Sequence, residues 1–153
     1  MATISGGGAA GDPGIVLIER QELSTATATV TFSSIPQSYR SLEVRYSAWV
    51  TAATDGVRLR MYAENDTTDA NYFSARVYGG TSTSGSVFNS SPGIGDIGGT
   101  KTGSTPTTGV ITLHDYTGSN QKTATILQGY QRTTGQGYLQ AWYWAWEDTD
   151  PIT

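Results

Sequence analysis

The sequence predicts an all-β protein: one antiparallel β-sandwich, jelly-roll-like, of about eight strands, behind a flexible N-terminal arm. Three observations carry that expectation. Apolar and polar residues alternate strictly over several short stretches. Threonine, serine and glycine, the last at 19 residues, fill much of the chain in place of helix formers. No segment holds a helical period beyond about two turns, so strands must bury their faces against one another. At 153 residues the chain is one domain by length and can bury a core.

The opening "MATISGGGAAGDPG" has neither the basic nor the apolar region of a signal peptide. It reads as a flexible arm, residues 1–14, that orders against a partner, with the sandwich domain spanning 15–153. "IVLIERQEL" is a strand, apolar on both sides in its first half. "TATATVTF" alternates Ala26, Ala28, Val30 and Phe32 with threonines. "SLEVRYSAWV" places Leu42, Val44, Tyr46, Ala48 and Val50 on one face. "VRLRMYAE" follows with Val57, Leu59, Met61 and Ala63, and Thr54-Asp55-Gly56 is expected to join these two as a hairpin. "NYFSARVYG", "GVITLHDY", "KTATILQGY" and "GYLQAWYWAW" are strands of rising apolarity. Between them, residues 79–109 read as a long Gly/Ser/Thr-rich loop, anchored by Val87, Phe88, Ile94 and Ile97 and interrupted by a short strand near 86–89. A loop of that length is usually functional or partner-bound.

Bulk properties exclude several classes. A net charge of −4 argues against nucleic-acid binding, which needs a concentrated basic surface. The chain has no cysteine, so a disulfide framework and the usual structural zinc sites are excluded. No apolar run approaches the ~18 residues of a membrane-spanning helix.

The stretch "LIERQELSTATATVTFSSIPQSYRSLEVRYSA" resembles a group of jelly-roll-type virion structural proteins of tailed bacteriophages. Their hallmark is a strand rich in Ala and Thr, then "TFSSIP", two residues, an aromatic, and a strand beginning with Leu. Ser33-Ser34-Ile35-Pro36, Tyr39 and Leu42 fit it. Pro36 would preset φ in the turn, and Ile35 and Tyr39 would cap the core. Downstream, "RLRMYAENDTTDANY" is similar to the group's strand and polar loop, with Asn65-Asp66 and Asn71-Tyr72 at the matching places. "WEDTDPIT" is similar to its Trp-x-Ser-Thr-x-x-Ile-Thr segment, with Asp148 replacing the serine. Members usually continue past Ile-Thr with further strands. The resemblance therefore leaves open whether two core strands are missing, the sandwich closes differently here, or a neighbouring chain supplies the complement.

The resemblance implies a head decoration protein, or part of a tail or fibre, working on the surface of the particle after synthesis in the host cytoplasm. Its partners would be the major capsid protein or other virion proteins, and copies of itself, a trimer being one arrangement. No enzyme, cofactor, metal or nucleic acid is implied.

Candidate chemistry is sparse. His114-Asp115 are strand neighbours, which point to opposite faces and do not form a catalytic pair. Asp66/Asp69 and Asp148/Asp150 fall in expected turns, where aspartate serves the backbone. "ENDTTDAN" offers oxygens but not the ordered ligand spacing of a Ca²⁺ loop. Gly93, Gly95 and Gly98 match G-x-G-x-x-G, but no helix is expected to follow, so the dinucleotide reading fails. Arg45, Arg58, Arg60 and Arg76 are expected on outward positions of neighbouring strands. They either pair with Glu43 and Glu64 or form a basic stripe for docking on an acidic capsid surface.

Trp142, Trp144 and Trp146 alternate along the last strand and share one face, with Tyr143 on the other. Trp146 is expected in the core. For Trp142 and Trp144 three uses remain open: burial within the chain, which is favoured, a subunit interface with Tyr143 beside them, or a stacking face for a glycan. The last would suit the alternative function, a carbohydrate- or receptor-binding domain of a tail fibre, using the 79–109 loop as well.

Overall fold

Where the alternation is carried by large apolar residues, the chain forms strands. The computed structural model describes residues 1–7, 14–50, 57–64, 66–81, 83–97, 106–133 and 136–153. Among them run ten strands: β1 (Ala2–Gly7), β2 (Ile15–Gln21), β3 (Ser41–Ala48), β4 (Val57–Arg60), β5 (Tyr72–Gly80), β6 (Ser84–Asn89), β7 (Gly93–Ile97), β8 (Thr107–His114), β9 (Lys122–Thr133) and β10 (Gln136–Trp146). A single 3-10 turn, Asp69–Asn71, precedes β5.

Eight strands make one wide sheet in the order β2-β1-β3-β8-β9-β10-β5-β6, and β4 with β7 makes a small second sheet. Every pairing is antiparallel. The protein is thus the all-β antiparallel sandwich that the alternation predicts, with unequal layers.

Because the small sheet is narrow, irregular segments complete the cover over the inner face of the wide one. Ile35 from the "SSIP" turn, Ala63, Ile94 of β7, Tyr116 and Ile152 join Leu42, Ile111, Leu113, Ile126 and the tryptophans in a single core. Phe32 and Tyr39 pack against it. Polar contacts fix these covers. Gln37 Nε2 donates to the carbonyls of Ile35 (2.9 Å) and Ile152 (2.8 Å), and the Tyr116 hydroxyl donates to the carbonyl of Pro36. Lys122, buried at the base of β9, donates through Nζ to the carbonyls of Gly118 (2.5 Å), Asn120 (2.6 Å) and Thr149 (3.3 Å).

Four expectations are corrected. The arm is not free over its first half: Ala2–Gly7 is a strand hydrogen-bonded between β2 and β3, with Ile4 in the core. One isoleucine among small residues is too weak a pattern to be read as a strand, yet a position between two partners holds it. Residues 8–13 lie outside the described residues.

"TATATVTF" forms no strand; Ala26, Ala28 and Val30 are exposed. Alternating alanine and threonine has the right period but too little apolar area to hold a register. The hairpin between β3 and "VRLRMYAE" does not form, because β3 already lies between β1 and β8 while β4 pairs with β7. Its turn, Thr54-Asp55-Gly56, lies outside the described residues. Finally, among its described residues the stretch 79–109 is mostly strand, holding the end of β5, β6, β7 and the first residues of β8; residues 82 and 98–105 lie outside the described residues.

Candidate interaction surface

Residues directly opposite in paired strands share a face. One row crosses the wide sheet as Ile4, Val44, Ile111, Ile126, Trp142 and Arg76, and this is the inner face. The tryptophan ladder lies on it. Trp142, Trp144 and Trp146 are 3%, 0% and 2% exposed. Trp142 Nε1 donates to Gln140 Oε1 (2.8 Å) and Trp146 Nε1 to Asp66 Oδ2 (2.9 Å). Trp142 and Trp144, candidates for an interface, are therefore buried in the chain's own core and offer no ring to a subunit or a sugar. Tyr143 points the other way and is exposed.

The four arginines do not form one stripe. Arg45 is on the outer face, opposite Val110, and its Nε contacts Glu43 Oε1 at 2.6 Å within the same strand. Arg60 pairs with Asp69 (3.1 Å) and donates to the Tyr62 hydroxyl (3.0 Å), contacts that raise its pKa, the Tyr62 bond foremost. Arg76 is on the inner face and Arg58 reaches in from β4; both meet Asp96, Arg58 at 2.9 Å. Glu64, an expected partner, instead accepts from Thr153 Oγ1 (3.1 Å).

Around Asp96 a polar cluster joins the two layers. Gln128 Nε2 donates to the Asp96 carbonyl (3.0 Å) and to Gln140 Oε1 (2.8 Å), while Gln140 Nε2 donates to Asp96 Oδ2 (3.0 Å). The Tyr46 hydroxyl donates to Gln128 Oε1 at 2.5 Å. Burial, then the Asp96 charge, raises that phenol above the ordinary tyrosine range. The Arg58 and Arg76 guanidiniums lie 5.2 and 5.0 Å from the Trp142 ring centre, close enough for cation–π attraction. Gly95 allows the layers to approach: a Cβ there would lie 2.0 Å from Gln128 Oε1. The middle glycine of the G-x-G-x-x-G stretch is thus a packing glycine on a strand. Sequence reasoning missed Asp96, Gln128 and Gln140. The signal was present in the last two, since each occupies a core-phase position beside Ile126 or Trp142, where a polar group must find partners.

The remaining candidates serve local structure. His114 is exposed at the end of β8, and Asp115, at φ 51°, turns its carboxylate toward Asn120 (3.4 Å). Asp66 accepts from Asn71 Nδ2 (2.8 Å), the Thr68 amide (3.0 Å) and Trp146, which together lower its pKa to about 2, Asn71 contributing most. Asp148 Oδ1 accepts from the amides of Thr149 (2.6 Å) and Asp150 (3.1 Å) in a turn. Among the described residues no group of three or more His, Cys, Asp or Glu side chains could hold a metal ion.

What is open to solvent is the outer face of the wide sheet. Val77, Phe88, Leu127, Leu139 and Tyr143 are large, apolar and exposed there, Phe88 at 73% and Leu139 at 60%. Strand pairing makes them neighbours. Leu127 and Val77 flank Ala141, and Phe88 flanks Ala75, which is itself opposite Tyr143. The nearest charged pair on this face is Arg45 with Glu43, on the far side of β8. A groove runs over Gly129 between Val110, Leu127 and Leu139, with Arg45 at its end. Comparison with protein-family models, with curated proteins and with solved structures finds no match.

Proposed function

We propose that this chain is a non-enzymatic structural component of a tailed-phage virion, a capsid decoration protein that stabilises the head through subunit contacts. One observation carries the reading. The outer sheet face is apolar, contiguous and uncharged across β9, β10 and β5, and a patch of that kind marks a protein-binding surface. The ordered motifs "TFSSIP", "ENDTTDANY" and "WEDTDPIT" support the virion part of it by resemblance. The decoration logic is mass action: contacts that exist only in the assembled state stabilise that state. The tail-fibre alternative is weakened, since two of the three aromatics of its expected sugar platform are buried.

The test is to add purified protein to expanded, undecorated heads. Binding that saturates in proportion to capsid copy number is expected, and Leu127→Asp, folded by circular dichroism, should reduce it. No affinity for heads, combined with tyrosine or tryptophan quenching by oligosaccharides, would replace this reading with the carbohydrate-binding one.

A further inference from the structure

We propose that the outer face of the wide sheet is built to dock against the same face of a second copy of this chain. The inference rests on the reading that the protein acts through subunit contacts, and it assigns this face to the contact between copies, so that Leu127→Asp would weaken head binding by taking the dimer apart. The exposed side chains follow a size pattern. Across β9, β10 and β5 one row reads Gly129, Leu139, Gly79: small, large, small. The next outward-facing row reads Leu127, Ala141, Val77: large, small, large. The third reads Thr125, Tyr143, Ala75, small, large, small again. Large and small residues thus alternate in both directions, as on a chequerboard centred on Ala141.

Two of the small squares, Gly79 and Gly129, have open space where a side chain would stand. A Cβ at Gly79 would meet nothing within 4 Å, and at Gly129 only the Tyr138 carbonyl oxygen, at 3.9 Å. The groove over Gly129, walled by Leu127 and Leu139, is the same feature seen as a surface. The knobs around them are well exposed, Leu127 at 57% and Val77 at 58%.

A surface that only needed to be greasy would have no use for glycines between its leucines. Hollows beside knobs of matching size are what interdigitating sheets require, where large residues of one face enter small positions of the other. On a chequerboard a shift of one position brings every knob over a hollow of an identical board. The pattern is therefore self-complementary, as a two-fold interface must be. Its area agrees. The five exposed apolar side chains offer on the order of 500 Å², and the small residues between them bring the face toward the ~800 Å² per partner of a stable complex. Across β9, β10 and β5 these rows hold no charge; the row through Leu127 meets Arg45 two strands further on, where it is paired with Glu43.

The experiment is sedimentation equilibrium on the whole chain and on a hollow-filled variant, Gly79→Leu with Gly129→Leu. Both glycines have room for a side chain, so the fold should survive, which circular dichroism and the melting temperature check. The wild type is expected to be a dimer, and the variant's dimer about 10- to 100-fold weaker, although its surface is greasier. Leu127→Asp should also be monomeric. A monomeric wild type, a closed trimer, or a variant that associates as tightly as wild type would each overturn the proposal. Its fate is separable from that of the virion reading: a hollow-dependent dimer without affinity for heads would retain the dimer and remove the decoration role.

Discussion

Replacing Asp96 by asparagine would leave Arg58 and Arg76 facing one another without the carboxylate that holds both, and Gln140 without an anionic acceptor. Removing one partner of a buried ion pair costs about 3–5 kcal/mol, and the low end applies because Arg58 reaches solvent. A loss of about 3 kcal/mol in urea denaturation is therefore expected for Asp96→Asn. Arg45→Gln, which breaks an exposed pair, should change stability by no more than about 0.5 kcal/mol. Equal losses would mean that the cluster does not join the layers. At this scale the sequence was half legible. The phase of Trp142, Trp144 and Trp146 was readable, and burial was the favoured use. The destination of Arg76 was not, because "NYFSARVYG" does not reveal that its arginine face turns toward an aspartate in a stretch expected to be loop.

At the scale of elements, the segment before β5 depends on one carboxylate. Asp66 gathers the amide of Thr68, the side chain of Asn71 and the indole of Trp146, tying the 3-10 turn to the end of β10. Its folded pKa of about 2 lies below the ordinary aspartate value, so the ionised form is the one the fold favours. The sign follows: this contribution is complete above about pH 4 and is lost as pH falls through about 2. Asp66→Asn should melt below wild type at pH 6, with the gap narrowing by pH 2.5. A gap independent of pH would show that the carboxylate charge is not what ties the turn. Strands themselves were legible where bulky residues alternate, as in β3, β8, β9 and β10. They were misread where alternation was a matter of composition, as in "TATATVTF". They were overlooked where glycine and serine hide a strand that its neighbours impose, as in β7 and β1, whereas β6 was expected as a short strand near 86–89. Burial of large side chains fixes register; small ones leave it to tertiary context.

For the whole molecule, strand order decides what each part is worth. Among the described residues β2 joins the wide sheet through β1 alone, and β1 in turn pairs with β3 over residues distant in sequence. The backbone of Met1 continues the ladder, its carbonyl accepting from the Ser47 amide at 2.7 Å. A freely moving arm could be cut away with no effect on the domain, whereas a strand with partners on both sides could not. Deleting residues 1–7 would strip the ladder from β3, empty the Ile4 site in the core and leave β2 without a neighbour. Truncating a buried isoleucine to alanine alone costs about 2–5 kcal/mol, so Ile4→Ala sets a lower bound for the deletion. The deletion is expected to lower the melting temperature by more than Ile4→Ala does. It should also expose Ile15–Gln21 to limited proteolysis while β9 and β10 stay protected. A truncated chain that melts with the wild type and resists protease at β2 would return these residues to the role of a free arm, and with it the idea that they reach a neighbour rather than complete the sheet.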